Sequence, residues 1–301
     1  MEQWPKNNLE AEKRPAEKLR ELIVEMSHDM NMSVRESYGV RKLVNQDGTI
    51  DIGEFMNVSG YGEKKIHEDR KKTYECEVEW SGVREEEVRE FYRSNYNAET
   101  EEDVVRVFLE KKKNEKNTQM ELFTMVLFNK MLKDDFIVVR TSKYDDYMNG
   151  IDTVMVNKKT GDVVCAFDEV HDHKESSRAE EKRKTKTREA RSGGAKLTYG
   201  ISVSEGKLER KEIKNLPVFA LALSTNQLND ALKNMNYDMT VSEKEEEIFA
   251  FFVSSLEKQK KEFFGTHLPK PEYTNLLRFE QSLNTMKKKR NSGKRQYEKT
   301  S

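Results

Sequence analysis

Two cysteines, Cys76 and Cys165, are all that the 301 residues contain. They cannot build a disulfide framework, and they form no CxxC metal pair. Cys165 lies inside an apolar run and reads as a small buried side chain. No stretch approaches the ~20 apolar residues that span a bilayer. The opening MEQWPKNNLEAEKRPAEKLRELIVEM lacks the apolar segment of a signal peptide. The expectation is therefore a cytoplasmic protein with no membrane partner. An excess of one charge is also missing: 54 Lys and Arg against 55 Asp and Glu leave a net charge of −1. So balanced a chain is not an electrostatic nucleic-acid binder as a whole, and any such contact must come from local patches. No Walker-type loop and no GxSxG elbow is present. Five prolines impose few breaks on helices.

Charge itself is abundant, at 36% of residues against a usual ~25%, and it is unevenly spread. Residues 1–117 are highly charged and mainly helical in pattern. Within 14–26, Leu19, Leu22, Ile23 and Met26 recur at three- and four-residue spacing, which predicts an amphipathic helix. Further helices are predicted over 63–77, 84–94 and 99–113. From 118 the chain turns apolar. TQMELFTMVLFNKMLK is apolar almost all round and should form a buried helix. FIVVR (136–140), IDTVMV (151–156) and DVVCAFDEV (162–170) have the β-branched content and length of strands. A charged helix over about 174–191 follows, then strands in LTYGISVS and around 207–213, and a buried strand in LPVFALAL (216–223). Helices at about 225–235 and 242–263 close the fold. The basic end, 285–301, lacks an apolar face and is expected to be a disordered tail. The predicted class is α/β with a mixed α+β sheet. Its core covers 118–223, with a helical N-terminal region (1–117) and C-terminal helices (224–284).

MNGIDTVMVNKKTGDVVCAFDEVHDH (148–173) concentrates the candidate chemistry. Gly161 can end a three-residue hairpin loop, Lys159-Thr160-Gly161. That register opposes Val154 to Ala166 and Asp152 to Asp168, and directly opposed side chains share a face. Loops of two or four residues would instead turn Asp152 toward the face of Phe167 and Glu169. Two converging carboxylates repel, and a divalent cation relieves them. Glu121 is the one acid between Thr118 and Lys133. It is either a carboxylate favoured by the helix N-terminus or a third site acid.

The order helix, three strands, helix, strand, with Glu121 in QMELFTMVLFNKM, Asp152 in NGIDTVMV and Asp168 in VCAFDEV, resembles the PD-(D/E)XK nuclease superfamily and its restriction-endonuclease-like αβββαβ core. The resemblance covers roughly 118–223. It implies metal-dependent phosphodiester hydrolysis, with Mg²⁺ (or Mn²⁺) held by Asp152 and Asp168, and with Glu121 ligating directly or through water. It also implies a nucleic-acid partner, DNA more than RNA. The family's lysine would fall at Val170, which carries no charge. Lys174, with Lys182 behind it, can supply the amine from the following helix. Alternatively, Glu169 is the strand acid and His171 follows two residues on. A catalytically silent relative that binds nucleic acid or protein is the other reading.

The run HKESSRAEEKRKTKTREARSGGAK offers Lys182, Arg183, Lys186 and Arg191 as phosphate-backbone contacts, against the alternative of a solvated helix face. HDH (171–173) reads as a strand-end loop rather than a metal set. NQDGTIDIGEF (45–55) resembles the latter part of an EF-hand loop. Leu43 at its first ligand position and Gly60 in the exiting helix argue against calcium.

Overall fold

The computed structural model describes residues 14–172, 177–264 and 270–297. Lys174, the first candidate for the catalytic amine, lies outside the described residues. Five helices lead into the sheet: α1 (Pro15–Tyr38), α2 (Gly62–Ser81), α3 (Glu86–Tyr96), α4 (Glu101–Lys112) and α5 (Lys116–Leu132). Then come β1 (Phe136–Arg140), α6 (Lys143–Asn149), β2 (Thr153–Asn157), β3 (Val163–Asp172) and α7 (Ser177–Arg191). The chain continues through β4 (Ala195–Ser204), β5 (Lys207–Leu216), β6 (Val218–Ser224), α8 (Thr225–Asn234), α9 (Glu243–Phe264) and α10 (Lys270–Tyr297).

The main sheet has the order β1-β2-β3-β6, antiparallel except for the parallel pairing of β3 with β6, while β4 and β5 form a separate hairpin. Alternation along the strands divides the core in two. Val138, Met155, Phe167 and Phe219 face α5, α9 and α1, where Leu19, Leu22, Ile23 and Met26 complete the layer. Ile137, Val139, Val154, Val156 and Ala166 face the β4–β5 hairpin through Leu197, Tyr199 and Ile201. Both faces of the sheet are covered, which is why its strands read as apolar runs without alternation.

The hairpin between β2 and β3 reaches the expected register by a different route. Asn157 pairs with Asp162, donating to its carbonyl at 2.9 Å, so the loop has four residues (158–161). Gly161 is left-handed, with φ of +73°. Val156 pairs with Val163 and Met155 with Cys165, so Val164 is one extra residue, a bulge. The bulge cancels the longer loop, and Val154 still opposes Ala166.

Two elements differ from expectation. α6 arises in the polar KYDDYMN, capped by the Ser142 hydroxyl, which accepts from the Asp145 N–H, and by left-handed Gly150. The tail predicted as disordered is helical through Tyr297, in α10. Leu276, Phe279, Leu283 and Met286 make a buried stripe on it, while Lys287 and Arg290 bridge to Glu257.

The EF-hand-like segment folds around an ammonium group of the chain itself. Lys42 Nζ donates to Asn45 Oδ1 at 2.9 Å and Asp51 Oδ2 at 2.6 Å. Residues 48–50 then run alongside the edge of β1. Arg140 N donates to Gly48 O at 3.1 Å, and Ile50 N donates to Arg140 O at 3.0 Å. Among the described residues, no helix is long and apolar enough to cross a membrane.

Candidate active site

Four carboxylates meet at one end of the main sheet, on the side that α5 covers. Glu121 comes from α5, Asp146 from α6, Asp152 from the residue before β2, and Glu169 from β3. Glu169 continues the face of Cys165 and Phe167, and Arg140 at the end of β1 continues that of Val138. Arg140 Nη2 donates to Glu121 Oε2 at 2.6 Å. Burial works against the guanidinium charge, but Glu121, Asp47 and Asp146 outweigh it and hold Arg140 firmly cationic.

Asp152 bends over the end of the hairpin. Its backbone N–H stays in the ladder, donating to Phe167 O at 3.1 Å, while its Oδ2 accepts from the Glu169 N–H at 2.7 Å. Burial pushes the Asp152 carboxyl well up, and the charges of Glu121, Glu169, Asp146 and, last, Asp168 push it further. Glu169 is buried, with Thr153 and Asp152 beside it. Neither of its oxygens completes a hydrogen bond. Desolvation, followed by the charge of Glu121, raises its carboxyl to about 8. Desolvation and Glu121 likewise raise Asp146 to about 6, against the opposing pull of Arg140 and Lys112. A buried carboxyl without partners, as Glu169 is, is costly, and its neighbour Asp152 reaches the wall of a cleft. That cleft, of about 140 Å³, is lined by Glu121, Asp146 and Asp152, with Arg140, Lys112 and Lys143 interspersed.

Asp168 does not join this cluster as the expected partner of Asp152. It stands one residue along β3 and so faces the opposite side of the sheet, with Ala166. There Lys182 Nζ donates to both of its oxygens, at 2.7 and 2.9 Å, and Lys186 Nζ lies 3.1 Å from Oδ2. The paired register of β2 and β3 ends with Thr153 opposite Phe167 and does not extend to the expected pairing of Asp152 with Asp168. Two lysines of α7 neutralise Asp168, and Asp152 turns its carboxylate to the Glu169 amide. Of the two acids left open by the sequence, Glu169 is the one whose charge Asp152 feels more strongly.

The α7 cations are correspondingly not a row of free phosphate contacts. Lys186 is 5% exposed and pairs with Asp168 and Glu189. Burial lowers its basicity, and those carboxylates more than restore it. Lys182 also points inward, and Arg183 pairs with Glu180 at 3.5 Å. Arg191 is the last residue of α7. Val170 is buried at the expected lysine position. His171, also buried, meets Thr225 Oγ1 through Nε2 at 3.0 Å, at the first residue of α8.

Sequence reasoning missed Asp146 and Arg140. Asp146 belongs to a helix that only its caps announce, and Arg140 closes an apolar strand where a single cation looked incidental. Asp145, next to Asp146, is by contrast fully engaged. It accepts from Thr198 N at 2.6 Å, Tyr199 N at 2.9 Å, Ser142 Oγ at 2.8 Å and Asn149 Nδ2 at 2.7 Å. It pins α6 to β4 and so fixes where Asp146 points.

Among the described residues, no three His, Cys, Asp or Glu side chains are already arranged as a metal-ligand set. No protein-family model, curated protein or solved structure matches the chain.

Proposed function

We propose that the cleft hydrolyses phosphodiester bonds of nucleic acid with Mg²⁺ or Mn²⁺, on a restriction-endonuclease-like αβββαβ core formed by α5, β1, β2, β3, α7 and β6. The observation that carries this reading is Glu169: a buried carboxylate with no hydrogen-bond partner, beside Asp152 at the open end of the sheet. The all-oxygen donor set suits a hard cation. Mg²⁺ is commonly held by one or two carboxylates, its other positions going to water and phosphate oxygens. The lack of a third preset ligand is compatible with that habit.

Asp152 and Glu169 would hold the ion. When bound, it supplies a polarised phosphate and a bound water of lowered pKa. The remaining steps belong to the chain's own groups. Arg140, oriented by Glu121, presents a guanidinium to the non-bridging phosphate oxygens. Lys182, gripped by Asp168 across the sheet, is not on the wall of the cleft, and Arg140 is the cation left to fill the charge-stabilising role that Val170 cannot. Asp168 is then not a ligand, a change from the expected Asp152 and Asp168 pair. The second reading, a silent nucleic-acid-binding relative, is favoured by Lys182 being committed to an ion pair.

Labelled DNA and RNA, incubated with Mg²⁺ or Mn²⁺, separate the two. Wild type should cleave, and Asp152→Asn and Glu169→Gln should each lose roughly 10²–10³-fold, the scale of removing one electrostatic stabiliser. Equal cleavage by the variants, or none by wild type with either metal, overturns hydrolysis.

A further inference from the structure

The lip of the acid cleft carries groups that hydrolysis does not use. Trp80, near the end of α2, is 45% exposed. Its ring meets that of Tyr147 edge-on, with centroids 4.5 Å apart, and Tyr147 is the residue after Asp146. Lys112, at the end of α4, places its ammonium 4.6 Å from the Trp80 ring centroid and 5.3 Å from that of Tyr147. Lys112 and Tyr147 also line the cleft with Glu121, Asp146 and Asp152. One residue earlier, Lys111 sits over Phe91, Tyr92 and Tyr96, at 5.1, 4.7 and 4.0 Å. Phe91 and Tyr96 are 49% and 44% exposed. Two consecutive lysines thus join two groups of rings, each with an exposed member, and the second group lies outside the lining of the cleft.

Cations that track a backbone, alternating with aromatic faces, bind single-stranded nucleic acid, whose unpaired bases have faces free to stack. A duplex keeps those faces inside its own stack. We propose that this cleft takes single-stranded nucleic acid. A base stacks on Trp80 beside the acids, the next bases reach Phe91 and Tyr96, and Arg140, Lys112 and Lys111 follow the phosphates. On entry, each lysine moves from the ring face it covers to an adjacent phosphate. The inference rests on reading the cleft as a nucleic-acid site and names the substrate class of that site.

The full chain, kept in EDTA so that nothing is cleaved, is titrated into fluorescein-labelled single strands and duplexes of DNA and of RNA, with anisotropy as the readout. Single strands of at least one sugar type should bind more tightly than the matching duplex. Trp80→Ala should weaken that binding by roughly 5- to 150-fold, the range for losing a stacking platform, with duplex binding unchanged. Trp80→Phe should restore most of it and Trp80→Leu, which keeps apolar bulk without a ring, should not, whereas loss of mere helix packing predicts rescue by both. Should Trp80→Ala fail to fold, a Trp4→Phe chain leaves Trp80 as the sole tryptophan, and single strands should quench its fluorescence. Equal or tighter duplex binding, no effect of Trp80→Ala in a folded chain, or no quenching overturns the proposal. Cleavage with metal but without Trp80-dependent binding removes this inference alone. Trp80-dependent binding without cleavage removes hydrolysis alone.

Discussion

Replacing Glu169 with Gln keeps the shape of the side chain and removes its titration. In the folded chain this carboxyl ionises near 8, against 4.5 for the ordinary group. Between those values the folded state still holds a proton that the unfolded state has released. Stability is therefore complete below about pH 4.5 and is lost as pH rises through about 8. The shift corresponds to about 5 kcal/mol at full ionisation, as an upper bound because Glu121 and Asp152 share the repulsion. Near ~2 cal/mol/K of unfolding entropy per residue, a chain of 301 residues converts that to a fall in Tm of about 8 °C. Thermal melts in EDTA from pH 5 to pH 8.5 should show the decline in wild type and a flatter curve for Glu169→Gln, crossing above it at high pH. Mg²⁺ or Mn²⁺ should raise the wild-type Tm more at pH 8 than at pH 5, because the ion must displace protons. Parallel pH curves for the two chains would refute the reasoning.

Asp168→Ala would leave Lys186 buried with only Glu189 opposite it. The expected loss is about 3–5 kcal/mol in urea melts, with a large part recovered by adding Lys186→Met, and an additive pair of losses would contradict this. Gly161→Ala would set a Cβ 1.8 Å from Val203 O in a left-handed conformation. It should destabilise by at least ~2 kcal/mol by displacing the Val203 N–H bond to Gly161 O, and an unchanged Tm would count against that contact.

Much of the main sheet was legible because its strands are buried on both faces. FIVVR coincides with β1, and the β-branched runs at 151–156 and 162–170 locate β2 and β3 within a few residues. Asp152 and Glu121 were legible as acids in apolar company. The choice between Asp168 and Glu169 was not, because adjacent strand residues face opposite sides. Which of them meets a cation depends on α7, whose lysines read either as phosphate contacts or as a solvated face, and in neither case as partners of Asp168. α10 was hidden for a similar reason, its stripe of Leu276, Phe279, Leu283 and Met286 being outnumbered by charge. The pairing of Trp80 with Lys112 joins separate helices, and no local period encodes it.

The four-residue loop and the Val164 bulge compensate each other, and this has a consequence for how the hairpin can vary. Phase along β3 is set by the sum of the two irregularities, so neither is individually required. The same chain closed by a three-residue loop, with Lys158 opposite Asp162 and no bulge, would still oppose Val154 to Ala166 and keep Asp168 and Glu169 on their present sides. The geometry of this tip can therefore vary without touching the chemistry at the other end of the strands. Straightening the bulge on the present four-residue loop would slip the pairing by one and exchange the roles of the two adjacent acids, turning Asp168 toward α5 and Glu169 toward the lysines of α7.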